Sequence, residues 1–185
     1  MDLGESLKRQ NEQLDLDILE LALREAYSGK EMPIDRNKVE SEQRLEAKRA
    51  ELARINREEG EAFLMVNAEL PGVHVTDSGL QFTIIEQGDG PKPLAGSTVT
   101  VNYRGMLLDG SEFTSSYEQG KPVTLRVKDV LPGWAEGLQL MSSGARYKFF
   151  IPSELAYAEK GSGDAIGPNS TLIFDAELLD IENDL

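Results

Sequence analysis

Thr98-Val99-Thr100-Val101-Asn102-Tyr103 alternates apolar and polar side chains. A period of two places Val99, Val101 and Tyr103 on one face, the signature of a half-buried strand. Working outward, Leu80-Gln81-Phe82-Thr83-Ile84-Ile85 reads as a second strand, and Tyr147, Phe149 and Ile151 form another alternating set. Thr171-Leu172-Ile173-Phe174-Asp175-Ala176-Glu177-Leu178-Leu179 completes the series with β-branched and aromatic residues that suit a pleated surface. Between these strands Trp134 to Leu140 is short and helix-like, entered through Pro132-Gly133. Strands, one short helix and glycine-rich turns predict an α+β domain with an antiparallel sheet wrapped on that helix. The alternation carries no information on strand order.

Upstream the period changes. Leu7, Leu14, Ile18, Leu21, Ala22 and Tyr27 recur at helical spacings without proline or glycine between them, predicting an amphipathic helix over Leu7 to Tyr27. Ser28-Gly29-Lys30 stops it, Pro33 breaks the chain, and Asp35 is placed to cap a second helix. Lys38 to Glu69 is rich in strong helix formers, with Leu45, Leu52, Ile55, Ala62, Phe63 and Val66 mainly on one stripe. One helix is expected there, loosened at Gly60 and ended by Pro71-Gly72; at about 1.5 Å per residue it extends roughly 48 Å. That is longer than a small domain needs, so the segment reads as a dimerisation arm and spacer, against the plainer alternative of a solvated helix packed back on the C-terminal domain. Glu58 and Glu59 interrupt the stripe and argue against a long regular coiled coil. The expected division is a helical dimerisation and spacer domain over residues 1–70, a linker over 71–77, and a domain over 78–185.

Composition removes several function classes. The 185 residues carry a formal charge of −14, distributed over both halves, which repels nucleic-acid phosphates and anionic lipid. There is no cysteine, hence no disulfide framework, thiolate nucleophile or cysteine-ligated zinc. The sole histidine, His74, lies in the linker, reads as a surface residue, and has no companion to build a metal or triad site. Gly161-Ser162-Gly163 lacks the Lys-Ser/Thr ending of a phosphate loop. Asp109, Glu112, Asp164 and Asp175 offer carboxylates, but among 33 acidic residues chance pairs are abundant. No apolar run approaches the roughly 20 residues of a membrane span, and Met1-Asp2-Leu3-Gly4-Glu5 has no basic start, so the chain as given reads as soluble. Neither a cofactor nor a metal is expected.

What stands out is a set of aromatics spread over separate elements: Tyr103, Phe113, Trp134, Tyr157 and Phe174. Their contexts are Val101-Asn102-Tyr103-Arg104-Gly105-Met106-Leu107-Leu108-Asp109-Gly110-Ser111-Glu112-Phe113-Thr114-Ser115-Ser116, Val130-Leu131-Pro132-Gly133-Trp134-Ala135-Glu136-Gly137-Leu138, Ile151-Pro152 through Ala156-Tyr157, and Ala165-Ile166-Gly167-Pro168-Asn169-Ser170-Thr171-Leu172-Ile173-Phe174-Asp175. In this order, the four blocks resemble the signature of FKBP-type peptidyl-prolyl cis/trans isomerases. The helices before them resemble, by layout, the bacterial Mip and FkpA branch.

The resemblance implies a half-barrel antiparallel sheet around the short helix and an enzyme that accelerates X-Pro isomerisation in protein folding. It implies a pocket of Tyr103, Phe113, Thr114, Val130, Leu131, Trp134, Tyr157, Ile166 and Phe174, with the substrate proline on the Trp134 indole. The Leu131 N–H and the Tyr157 hydroxyl would donate to substrate carbonyls. Gln119, Val123 and Leu125 would form the rim, with Val123 and Leu125 where aromatics are common, widening the pocket. Thr114 and Gln119 replace the family's usual aspartate and arginine, which implies a neutral contact at the rim, reduced activity and weaker binding of macrolide inhibitors. Ala158 stands where glycine is usual. Implied partners are proline-containing polypeptides and a second copy held through the N-terminal helices. Implied locations are the bacterial periplasm or cell envelope, or the cytoplasm, where relatives of similar layout also occur. A competing reading is a non-catalytic chaperone or adhesion module using the same apolar groove.

Overall fold

A computed structural model describes residues 36–182. The helix expected over Leu7 to Tyr27, its stop and the Asp35 cap lie outside the described residues. The chain divides into two compact units, Met1–Glu46 and Ala47–Leu185.

The first described element, α1, runs over Arg36–Ala68. It passes through Gly60 without a break, contrary to the loosening expected there. Gly60 is buried, and a Cβ on it would come within 2.4 Å of Thr171 Oγ1, so the glycine permits close approach instead of bending the helix. The apolar stripe also divides. Phe63 packs on Phe150 at 5.7 Å between ring centroids, whereas Leu52, Ile55 and Val66 are exposed. Within the second unit, the face of α1 that packs on the rest of the domain is Ala53, Asn56, Gly60, Phe63 and Asn67, spaced three and four apart, with Asn56 and Asn67 polar. Hydrogen bonds, more than apolar burial, attach it: Asn67 Nδ2 donates to Gln81 Oε1 at 2.8 Å, and Gln81 Nε2 donates to the Leu64 carbonyl at 2.8 Å.

Seven strands follow: β1 Val73–Val75, β2 Gln81–Glu86, β3 Thr98–Met106, β4 Glu112–Ser115, β5 Val123–Arg126, β6 Arg146–Ile151 and β7 Leu172–Glu182. All pair antiparallel, in the order β1-β2-β6-β7-β3-β4 with β5 also on β3. This is the expected α+β architecture. β1 falls within the segment read as a linker; it carries His74, exposed as expected and stacked on Phe82 at 5.0 Å. Three residues are too few to show a period.

The short helix α2, Pro132–Leu140, lies against the sheet. Trp134 and Leu138 are buried one turn apart, and Gly133 and Gly137 form a second pair at the same spacing. A Cβ on Gly133 would meet Ile151 Cγ2 at 2.5 Å, and one on Gly137 the Phe149 ring at 2.7 Å. The two glycines therefore let the helix backbone approach β6, and Leu80, Val99, Val101, Leu138, Phe149, Ile151, Leu172 and Leu178 close the core around it. No helix among the described residues is long and apolar enough to cross a membrane.

Candidate functional site

Along β3, Val99 and Val101 are fully covered, but Tyr103 on the same face is only half-buried. It opens onto a cavity of about 600 Å³. Five regions converge there: β3 with Tyr103; β4 with Phe113 and Thr114; β5 with Leu125; the entry to α2 with Val130, Leu131 and Trp134; and the connection to β7 with Tyr157 and Ile166, followed by Phe174. All nine residues expected in a pocket thus line one cavity. Of the three expected at its rim, Leu125 lines it, whereas Gln119 and Val123 do not. Gln119 is exposed in the turn closed by Gly120 N–H on the Tyr117 carbonyl. The side-chain hydrogen bond of Thr114 is accordingly with the Tyr103 hydroxyl, 3.5 Å away, and not with Gln119.

The aromatic rings meet edge to face. Trp134 is 5.2 Å from Tyr103 at 80° and 5.0 Å from Phe174 at 87°; Phe113 meets Phe174 at 5.6 Å and 87°. T-shaped pairs place a positive edge on a negative face, which adds about 0.5–1.5 kcal/mol each to burial. Local backbone explains the aim of two of these rings. Phe113 is the extra residue of a β-bulge, since Gly105 pairs with Thr114 and Met106 with Glu112. Gly105 lies behind it: a Cβ there would meet Phe113, Phe174 and Thr114 within 2.8 Å.

Three donors are left open. The Trp134 indole N–H is buried without a partner, and no described residue bonds the Tyr157 hydroxyl or the Leu131 N–H. The last follows from position, because Leu131 is the N-cap of α2 and its carbonyl, not its N–H, enters the helix by accepting from Ala135 at 2.8 Å.

Sequence reasoning missed Asp129, Ser162 and Ala165, which also line the cavity. Asp129 and Ala165 each immediately precede a pocket residue, so adjacency to the motifs was the available signal. It missed Ser116 as well, which is fully buried and takes the Tyr103 N–H at 2.9 Å on its hydroxyl, fixing the backbone beneath the ring. Of the four carboxylates weighed for acid/base chemistry, Asp175 is engaged elsewhere. Arg104 Nη2 donates to it at 2.7 Å and Lys148 Nζ lies 3.4 Å away, while Arg104 also approaches Glu112 at 3.7 Å, a charge ladder over β4, β3, β7 and β6. The hydrogen bond and charge of Asp175 hold the Arg104 guanidinium deeper in its protonated range. Asp109 is held below the usual carboxylate range by hydrogen bonds from Ser111. Among the described residues no group of His, Cys, Asp or Glu is arranged to hold a metal ion.

Residues 90–179 match the family described as FKBP-type peptidyl-prolyl cis-trans isomerase, and residues 1–84 match the domain amino-terminal to it. A probable FKBP-type peptidyl-prolyl cis-trans isomerase FkpA of Neisseria meningitidis is 44% identical over 98% of this chain and 71% of that protein. The outer membrane protein MIP of Legionella longbeachae is 39% identical over 98% of this chain and 82% of that protein. The crystal structure of FkpA from Escherichia coli has a TM-score of 0.71 at 37% identity, covering 97% of this chain and 89% of that one.

Proposed function

Because the chain belongs to the FKBP-type peptidyl-prolyl cis-trans isomerase family, we propose that the aromatic cavity over Trp134 is where it isomerises X-Pro bonds of polypeptide substrates. The observation that carries the assignment is a closed aromatic floor beside open donors, in a cavity whose lining holds no histidine, cysteine or lysine. Rotation about an amide meets a barrier of about 18–20 kcal/mol because resonance is lost, whereas cis X-Pro lies only about 0.5–1 kcal/mol above trans. No bond is made or broken, so neither nucleophile nor base is required. In the twisted state the carbonyl carries less charge separation and the imide nitrogen is more pyramidal. An apolar cavity that strips water from the amide therefore disfavours the planar state, and each ~1.4 kcal/mol of such differential binding is about tenfold in rate. The proline ring rests on Trp134, with Tyr103, Phe113, Ile166 and Phe174 as walls and the Leu131 N–H and Tyr157 hydroxyl on the flanking carbonyls. Thr114 keeps only a neutral contact with Tyr103, which leaves activity present but below that of an aspartate-bearing pocket and weakens macrolide binding.

The test is a proline-limited peptide assay over a range of pH. With no histidine, cysteine or lysine in the cavity lining, kcat/KM is expected to stay within about twofold between pH 6 and 8, where an unperturbed imidazole would titrate. A unit-slope dependence in that window would show that a titrating base takes part.

The residues before the catalytic domain support a second element of the reading, a homodimer through residues 1–70 that serves as a chaperone in the bacterial periplasm or cell envelope. The match of residues 1–84 to the amino-terminal domain and the exposed Leu52, Ile55 and Val66 on α1 favour it. Sedimentation of the full chain at micromolar concentration is expected to return twice the 20.4 kDa chain mass; a monomer would overturn the dimer.

A further inference from the structure

Tyr157, Ser162, Ala165 and Ile166 reach the cavity from the long connection between β6 and β7. That connection is tied to itself by Asn169 N–H on the Ala158 carbonyl at 2.8 Å and by reciprocal Ser162 and Ile166 backbone bonds at 2.8 and 3.1 Å. Its backbone is strained where it turns, with Ala158 at φ 47° and Asn169 at φ 54°. Such a loop needs external support to keep one conformation.

The support comes from α1. On the outgoing limb, Arg49 Nη2 donates to the Lys160 carbonyl at 2.8 Å and to that of Glu159 at 3.4 Å, and Arg57 pairs with the Glu159 carboxylate at 3.3 Å. On the returning limb, Asn56 Nδ2 donates to the Pro168 carbonyl at 2.7 Å and reaches Ser170 Oγ at 3.3 Å. Asn169 closes the joint from the other side by donating to the Ala53 carbonyl at 3.2 Å. Gly167 lets helix and loop approach closely, since a Cβ on it would lie 3.0 Å from Asn56 Nδ2 and 3.3 Å from Leu52 Cδ2. Donors from one helix thus grip both limbs of the loop, on either side of Ser162, Ala165 and Ile166 and just after Tyr157.

We propose that Asn56 and Arg49 of α1 are positioning residues for the isomerase reaction, holding the loop that presents Tyr157 and Ile166 to the substrate. The claim rests on the assignment of the cavity as the isomerase site. A loop released from the helix samples conformations that do not bind, and the apparent affinity falls by the competent fraction. α1 is then part of the enzyme's working scaffold as well as a spacer.

The experiment compares the full-length chain with Asn56→Leu, which keeps the side-chain volume and removes the donor, with Arg49→Ala, and with both together. Arg54→Ala is the control, because Arg54 sits on the same helix but bonds only Glu51 and Glu58. Two readouts are taken, peptide isomerisation and amide hydrogen exchange. The double variant is expected to lose about tenfold in kcat/KM, chiefly through KM. Exchange at Ser162 and Ile166 is expected to accelerate while amides of β6 and β7 keep their protection, and Arg54→Ala is expected to match the parent in both. Unchanged loop exchange overturns the brace. Faster loop exchange with unchanged kinetics overturns the positioning role. Faster exchange throughout β6 and β7 also overturns it, since the substitutions would then act on the whole domain. A parent chain without isomerase activity would sink the assignment of the cavity, while the exchange readout would still decide whether the helix holds the loop.

Discussion

Trp134→Ala is expected to reduce both stability and activity more than any other single substitution in the cavity. The indole is 4% exposed and meets Tyr103 and Phe174 edge to face, so its removal takes away buried area, two ring contacts and the surface on which the proline is proposed to lie. Large aromatic-to-alanine changes in cores cost about 3–5 kcal/mol, a large part of the marginal stability of a domain of this size. Denaturant unfolding should register that loss, and the peptide assay should register a fall in kcat/KM of at least about tenfold, equivalent to ~1.4 kcal/mol of transition-state stabilisation. Trp134→Phe, which keeps a ring and removes the unpaired indole N–H, is expected to recover most of the stability. If Trp134→Ala remained folded and turned over peptide within twofold of the parent, the proline could not be resting on this residue.

A chain cut at residue 71, the boundary suggested by composition, is expected to be less stable than one cut at residue 47. Phe150 is 8% exposed and would lose the Phe63 ring that covers it. Gln81, 5% exposed, would lose both partners of its amide, Asn67 and the Leu64 carbonyl. An aromatic pair contributes about 0.5–1.5 kcal/mol beyond burial, and each of the two hydrogen bonds lost by Gln81 about 0.5–1.5 kcal/mol net, so the difference should be about 1.5–4.5 kcal/mol. Urea unfolding of the two pieces, 47–185 and 71–185, measures it. Equal midpoints and slopes would mean that α1 is a detachable spacer whose contacts add nothing to the domain.

The distribution of what was readable follows from range. The strands over residues 98–103 and 147–151, the entry to α2 at Pro132 and the long α1 were legible because period and local backbone preference operate between neighbours a few residues apart. The aromatic pocket residues were legible through their motif contexts, and the structure places all nine around one cavity. Gln119 and Val123, placed at the rim by the family resemblance, are not among the residues that line the cavity; Gln119 is exposed in the turn at Tyr117–Gly120. β1 is too short for any period to register, and Gly60 was read as a weak point because glycine's cost in a helix is local whereas its use here is contact with Thr171, more than a hundred residues away.

By itself, then, the order of residues determined the fold class and the reaction class, and it pointed to an aromatic cavity without histidine, cysteine or lysine in its lining. Tertiary structure alone decided how that site is held. Strand order, the bulge that aims Phe113 and the grip of Arg49 and Asn56 on the loop at 158–170 all join residues distant in sequence. The face of α1 turned to the domain runs through Arg49, Ala53, Asn56, Gly60, Phe63 and Asn67, a stripe attached in part by hydrogen bonds from its polar members. Hydrophobic periodicity is blind to such a stripe, because a polar side chain reads as solvent-facing until the carbonyl it binds is in view.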